Sequence, residues 1–132
     1  MSSRKLSLAI ALAGLAACSR KSSPIQPAQV PAVPGYEVQL GREVFAHYCA
    51  TCHGDAGAGD GFNAYNLDPH PRDLSDQTFQ KTKTDAQLAD TIRRGGAGVG
   101  LSSLMPPWGR TLTERQVGEV LLYVRSLKKA AP

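Results

Sequence analysis

Cysteine occurs three times, methionine twice and tryptophan once in 132 residues. An odd cysteine count is incompatible with a simple closed disulfide framework. Cys49 and Cys52 form one C-x-x-C, but no second C-x-x-C and no H-x-x-x-H accompanies it. A structural zinc site would therefore lack a well-placed fourth ligand. No βαβ pattern surrounds the pair, which argues against a thioredoxin-like couple. No apolar run reaches the roughly 20 residues that a spanning helix needs. Charge of one sign is also missing where it would matter. The net charge of +4 comes from Arg4, Lys5, Arg20 and Lys21, and from Tyr36 onward eleven basic residues face eleven acidic ones. That balance leaves no stripe for phosphate backbones, so a nucleic-acid partner is excluded. "GGAGVG" at Gly95–Gly100 is followed by no Lys-Ser/Thr and is not a phosphate loop.

The N-terminus carries Arg4 and Lys5 ahead of a short apolar stretch from Leu6 to Ala13. This is the pattern of an export signal. "LAAC" at Leu15–Cys18 resembles the lipobox of bacterial lipoproteins. The resemblance implies cleavage before Cys18, acylation of Cys18 and attachment to a membrane from the extracytoplasmic side. Residues 1–17 are then a signal peptide and 18–35 a lipidated tether. Pro24, Pro27, Pro31 and Pro34 interrupt any helix in it. Residues 36–132 are the expected domain.

That domain reads as helical. Tyr36, Leu40, Val44 and Tyr48 recur every four residues, with Gly41 and Phe45 on an adjoining row. Thr84 and Gln87 form a capping box ahead of Leu88 and Ile92, and Gly95 supplies a stop. Thr113 and Gln116 repeat the box ahead of Val117, Val120, Leu121, Val124 and Leu127. Gly118 inside this last helix either receives another backbone or faces solvent. No period-2 segment with hairpin turns appears, so the expectation is all-α, with three main helices and short helical turns.

"CATCH" at Cys49–His53 is the attachment signature of a c-type haem. Cysteines at i and i+3 present both sulfurs to one side of a helical turn, and His53 follows at once. Haem iron in cytochromes c is held by His and Met. Export removes Met1, which leaves Met105 as the candidate second ligand. It lies in "SSLMPPWG", with glycines before it and Pro106 and Pro107 after it.

Taken together, Tyr36–Lys129 resembles a class I cytochrome c domain. Gly41 and Phe45 match the family's glycine–aromatic pair ahead of the first haem cysteine. "VLLYVRSL" at Val120–Leu127 matches its C-terminal helix, with Tyr123 expected against the Gly41 region. The resemblance implies a cytochrome c fold around one covalently bound haem c, with Cys49 and Cys52 as thioether anchors and His53 and Met105 as axial ligands. It further implies a carrier of single electrons, Fe(III)/Fe(II), and not an enzyme, working between membrane-associated redox proteins of a respiratory or photosynthetic chain. In much of the family a Gly-Pro carbonyl orients the haem histidine; here Phe62 stands where that proline would be. Gly61, Phe62, Pro69 and Pro71 are the candidates to replace it.

Other residues weigh less. His47 reads as a helix-surface histidine, and His70 as a loop rival to Met105. Trp108 is expected to pack near the haem, and Arg72, Arg93, Arg94 and Arg110 are candidates to pair its propionates. The competing function is a peroxidase-like or gas-binding haem in which Met105 is displaced.

Overall fold

A computed structural model describes residues 35–127. Cys18 with its signal, and residues 19–34, lie outside the described residues. The described part contains α1 (Tyr36–Tyr48), a single-turn α2 (Ala50–His53), a 3₁₀ turn (Ala64–Asn66), α3 (Gln77–Thr82), α4 (Asp85–Gly98) and α5 (Glu114–Ser126). No strand occurs among the described residues.

The helix boundaries follow the sequence signals closely. Thr84 and Thr113 each accept from the backbone N–H three residues on, and Gln87 and Gln116 reach back to the cap N–H. α4 runs regularly only to Gly95, whose φ of 67° breaks it, and one more turn follows at a new angle. A side chain at that φ is strained, and a Cβ there would also meet Met105 O at 2.7 Å.

α1 and α5 form the main helix pair. The buried row of α1 is Gly41 and Phe45, whereas Tyr36 is exposed. The four-residue row through Tyr36 is thus the flank of the contact, because the crossing is set by the closest backbone approach. A Cβ on Gly41 would overlap Glu119 O on α5 and meet Tyr123 Cβ at 3.1 Å. Phe45 packs beside Tyr123 with ring centroids 5.1 Å apart. Phe45, Val120, Val124 and Leu127 make one core cluster, and Ala89, Leu112 and Val117 a second. Burying such side chains stabilises by about 1.5–3 kcal/mol each. Gly118 meets nothing within 4 Å, so of its two readings the solvent-facing one holds.

Candidate haem site

The motif turn is held from behind by its own loop. The C-terminal carbonyls of a helix lack partners within it. Here Asn63, Gly61 and Gly59 donate their N–H groups to Thr51 O, Cys52 O and His53 O at 2.9, 3.2 and 2.8 Å. The chain from Gly54 to Asn63 thus doubles back over α2 and frees its other side. That free side carries Cys49, Cys52 and His53, all of which line one cavity.

Met105 reaches the same cavity from the segment between α4 and α5. That segment is stapled to the end of α4 on both sides of the methionine. Leu101 donates to Gly96 O at 2.8 Å, Met105 O accepts from Gly96 N–H at 2.9 Å, and Trp108 and Gly109 donate to Ile92 O and Arg93 O, each at 3.0 Å. Four hydrogen-bonding groups at the broken end of α4 are satisfied by the methionine loop itself.

The cavity measures about 1270 Å³, above the usual ~300–1,000 Å³ of small-molecule pockets. Phe45, Leu67, Leu74, Phe79, Ile92 and Val120 are among its apolar walls. Cys49 and Cys52 form no disulfide. Burial and the neighbouring Cys52 push the Cys49 thiol up to about 12, so it is a protonated thiol at neutral pH. Thiol–disulfide exchange needs the opposite shift. Among the described residues no group of three His, Cys, Asp or Glu could hold a metal ion. A large apolar slot, two unpaired thiols on one turn, an imidazole beside them and a thioether from another loop fit a porphyrin held by its vinyl groups and its iron.

His53 is oriented by Arg72, whose carbonyl lies 3.1 Å from Nδ1. The acceptor is therefore none of Gly61, Phe62, Pro69 or Pro71. The loop capping α2 uses Gly61 for a different bond, and Pro71 is one residue short of the contact. With Nδ1–H donated to Arg72 O, Nε2 is left as a lone-pair donor toward the cavity. Burial lowers the His53 pKa below its ordinary 6.5, opposed by the bond to Arg72. The ring is thus neutral at neutral pH, as a metal ligand must be.

Arg72 also lines the cavity, with its guanidinium 5.4 Å from the Phe79 ring centroid. Of the four arginines considered, it alone does so. Arg93 pairs with Glu114 and Arg94 with Asp90, and Arg110 is not on the wall. Trp108 lines the cavity and packs against Tyr48, the rings tilted at 56° with centroids 5.3 Å apart. His47 and His70 are both exposed residues on its margin.

Sequence reasoning missed the segment that carries Arg72. Gln80 Nε2 donates to Leu74 O at 2.6 Å and Val124 O at 2.9 Å, and Gln80 Oε1 accepts from Arg125 at 2.7 Å. Arg125 also holds Asp85 and the carbonyls of Gln80 and Lys83. These bonds tie the segment after Arg72 to α5 across some forty residues of chain. No local periodicity signals them.

Comparison with known proteins agrees with this geometry. Residues 37–124 match the family described as cytochrome C oxidase, cbb3-type, subunit III. The cbb3-type cytochrome c oxidase subunit FixP of Bradyrhizobium diazoefficiens is 32% identical over 98 residues, covering 74% of this chain and 30% of that protein. FixP of Sinorhizobium medicae is 34% identical over 101 residues, covering 76% and 33%. Subunit CcoP of Cereibacter sphaeroides is 31% identical over 87 residues, covering 66% and 26%. The chain thus spans about a third or less of the length of these relatives. Among solved structures, the KustC0563 c-type cytochrome superposes with a TM-score of 0.56 at 25% identity, covering 67% of this chain and 98% of that one. The described domain has the cytochrome c fold, its family implies haem c, and the chain belongs to the cbb3-type cytochrome c oxidase subunit III family of c-type cytochromes.

Proposed function

We propose that the chain carries single electrons through one covalently attached haem c, anchored by Cys49 and Cys52 and ligated by His53 and Met105. When bound, the haem supplies an iron that cycles between Fe(III) and Fe(II). The protein's part is to keep the ligand set constant between those states. His53 is fixed by the bond to Arg72 O, and Met105 by the staples to α4. With His53 and Met105 both holding the iron, no position would be left for a substrate, which favours a carrier over a catalyst. The observation that carries the reading is the convergence of Cys49, Cys52, His53 and Met105 on one apolar cavity from two separate segments.

Cys18 would hold the domain at the extracytoplasmic face of a membrane through lipid, with residues 19–35 as the tether. Among the described residues no helix is long and apolar enough to cross a membrane. Relatives named as oxidase subunits support a place in a respiratory chain, either as a tethered shuttle or as a subunit of an oxidoreductase complex.

The test is spectroscopic. The ferric protein should show the weak long-wavelength Met-to-iron band, and Met105→Ala should abolish it. A pyridine haemochrome assay should return one c-type haem per chain, and none after replacing both cysteines. If the wild type lacks the band, or binds CO readily while folded, the peroxidase-like or gas-binding reading takes its place, with His70 the nearby imidazole to examine.

A further inference from the structure

We propose that Phe62 and Tyr65 form the docking surface for an electron-transfer protein whose own contact face is basic. This rests on the carrier reading above. The two side chains are 87% and 86% exposed, more than any other large apolar residue among those described. Scattered single exposures need no explanation, but these two sit on one turn with a definite orientation. Ala64 between them is 1% exposed and roots the turn in the protein. Asn63 and Asn66 line the haem cavity, whereas Phe62 and Tyr65 do not. One side of the turn therefore faces the cavity and the other faces solvent. The turn is also hydrogen-bonded directly to the motif, through Asn63 to Thr51 O and Gly61 to Cys52 O. A partner seated on the two rings is separated from the cavity wall by little more than the turn.

Charge identifies the class of partner. From Glu43 to Pro71 the chain has four carboxylates, Glu43, Asp55, Asp60 and Asp68, and no lysine or arginine. Among the described residues none of the four is in an ion pair, whereas Asp85, Asp90, Glu114 and Glu119 each hold an arginine. Asp55, Asp60 and Asp68 are exposed and flank the aromatic turn on both sides in the chain. Aromatic rings at the centre with charge at the margin is the usual anatomy of a transient interface. Uncompensated negative charge steers basic partners in and turns acidic ones away. It also disfavours a second copy of this chain, since a two-fold interface here would set carboxylates against carboxylates.

The experiment uses the haem-loaded full chain, reduced, in stopped flow. Its oxidants are a basic mitochondrial-type ferricytochrome c and the tris(phenanthroline)cobalt(III) trication. In each case one electron leaves the chain's Fe(II), which becomes Fe(III), and reduces the oxidant's Fe(III) or Co(III) by one. The rate with ferricytochrome c should fall at least about tenfold between low and high salt. Asp55→Asn/Asp60→Asn/Asp68→Asn should remove most of that salt dependence. Phe62→Ser/Tyr65→Ser should slow ferricytochrome c at all salt concentrations, by about threefold or more, and leave the cobalt complex unaffected. Absorption spectra and haem content identical to wild type exclude misfolding. The proposal is overturned if both variants react like wild type, or if the rate rises with salt. It is also overturned if the chain dimerises in ultracentrifugation and Phe62→Ser/Tyr65→Ser abolishes the dimer, or if removing residues 19–34 greatly speeds the wild type, marking the tether as the occupant. A wild type without redox-active haem would instead sink the carrier reading itself.

Discussion

Gly41 and His53 show how much depends on single positions. At Gly41 the crossing of α1 and α5 leaves no room for a methyl group against Glu119 O. Gly41→Ala should cost about 1–3 kcal/mol, read as a lower midpoint in denaturant melts. A similar cost for Gly118→Ala would contradict this, because Gly118 faces open space and alanine there should stabilise slightly. His53 sets an acid limit. Its pKa in the folded chain lies below the ordinary 6.5 because of burial. The unfolded chain therefore takes up the proton first, so the contribution of neutral His53 is intact above pH 6.5 and is lost as pH falls through the folded value. Protons compete with iron for Nε2 only in that lower range. The low-spin spectrum should stay unchanged from pH 7 down through 6.5, because a bound iron would hold Nε2 against the proton further still; loss of the spectrum near pH 7 would refute the assignment.

At the scale of elements, the site is made by loops that complete helix ends. The Gly54–Asn63 loop satisfies α2, and the methionine loop satisfies the broken end of α4. α3 has a comparable part through Gln80, which bridges Leu74 O and Val124 O and takes Arg125. Gln80→Leu removes the side-chain donor from Leu74 O and one of the two donors of Val124 O, which also accepts from Leu127 N–H, and should destabilise by about 1–3 kcal/mol, seen as a lower midpoint of thermal unfolding. Because Leu74 lies two residues beyond Arg72, the same variant should speed exchange of the His53 Nδ1–H in NMR of the reduced protein. Unchanged exchange would show that Arg72 is held independently of α3.

For the whole molecule, the relevant quantity is a cavity of about 1270 Å³ inside a chain of 132 residues. Both core clusters border it: Phe45 and Val120 of the first, and Trp108 packed against the second, are on its wall. The helices alone leave much of their apolar surface facing this space, so a bound haem would finish the core. Cys49→Ala/Cys52→Ala, which would release a haem held through those two sulfurs, should therefore lose near-UV circular dichroism while retaining much of its far-UV signal. A haem-free chain with native near-UV signal and a sharp melt would show the core to be self-sufficient.

The local features were legible in the sequence for a plain reason: they are produced by neighbours in the chain. Both capping boxes, the break at Gly95, the C-x-x-C-H turn and the glycine–aromatic pair each depend on a few consecutive residues. Met105 drew attention by its scarcity, and it lies on the cavity wall. Tertiary packing alone decided which row of α1 is buried, since the crossing follows the Gly41–Glu119 approach and the four-residue row falls to its side. It also decided that Arg72, nineteen residues past His53, supplies the acceptor for Nδ1. The same holds for Gln80 and Arg125, whose bonds span more than forty residues. A backbone carbonyl is present on every residue, so its partner is chosen by where the loop lies in space and leaves no mark in composition or spacing.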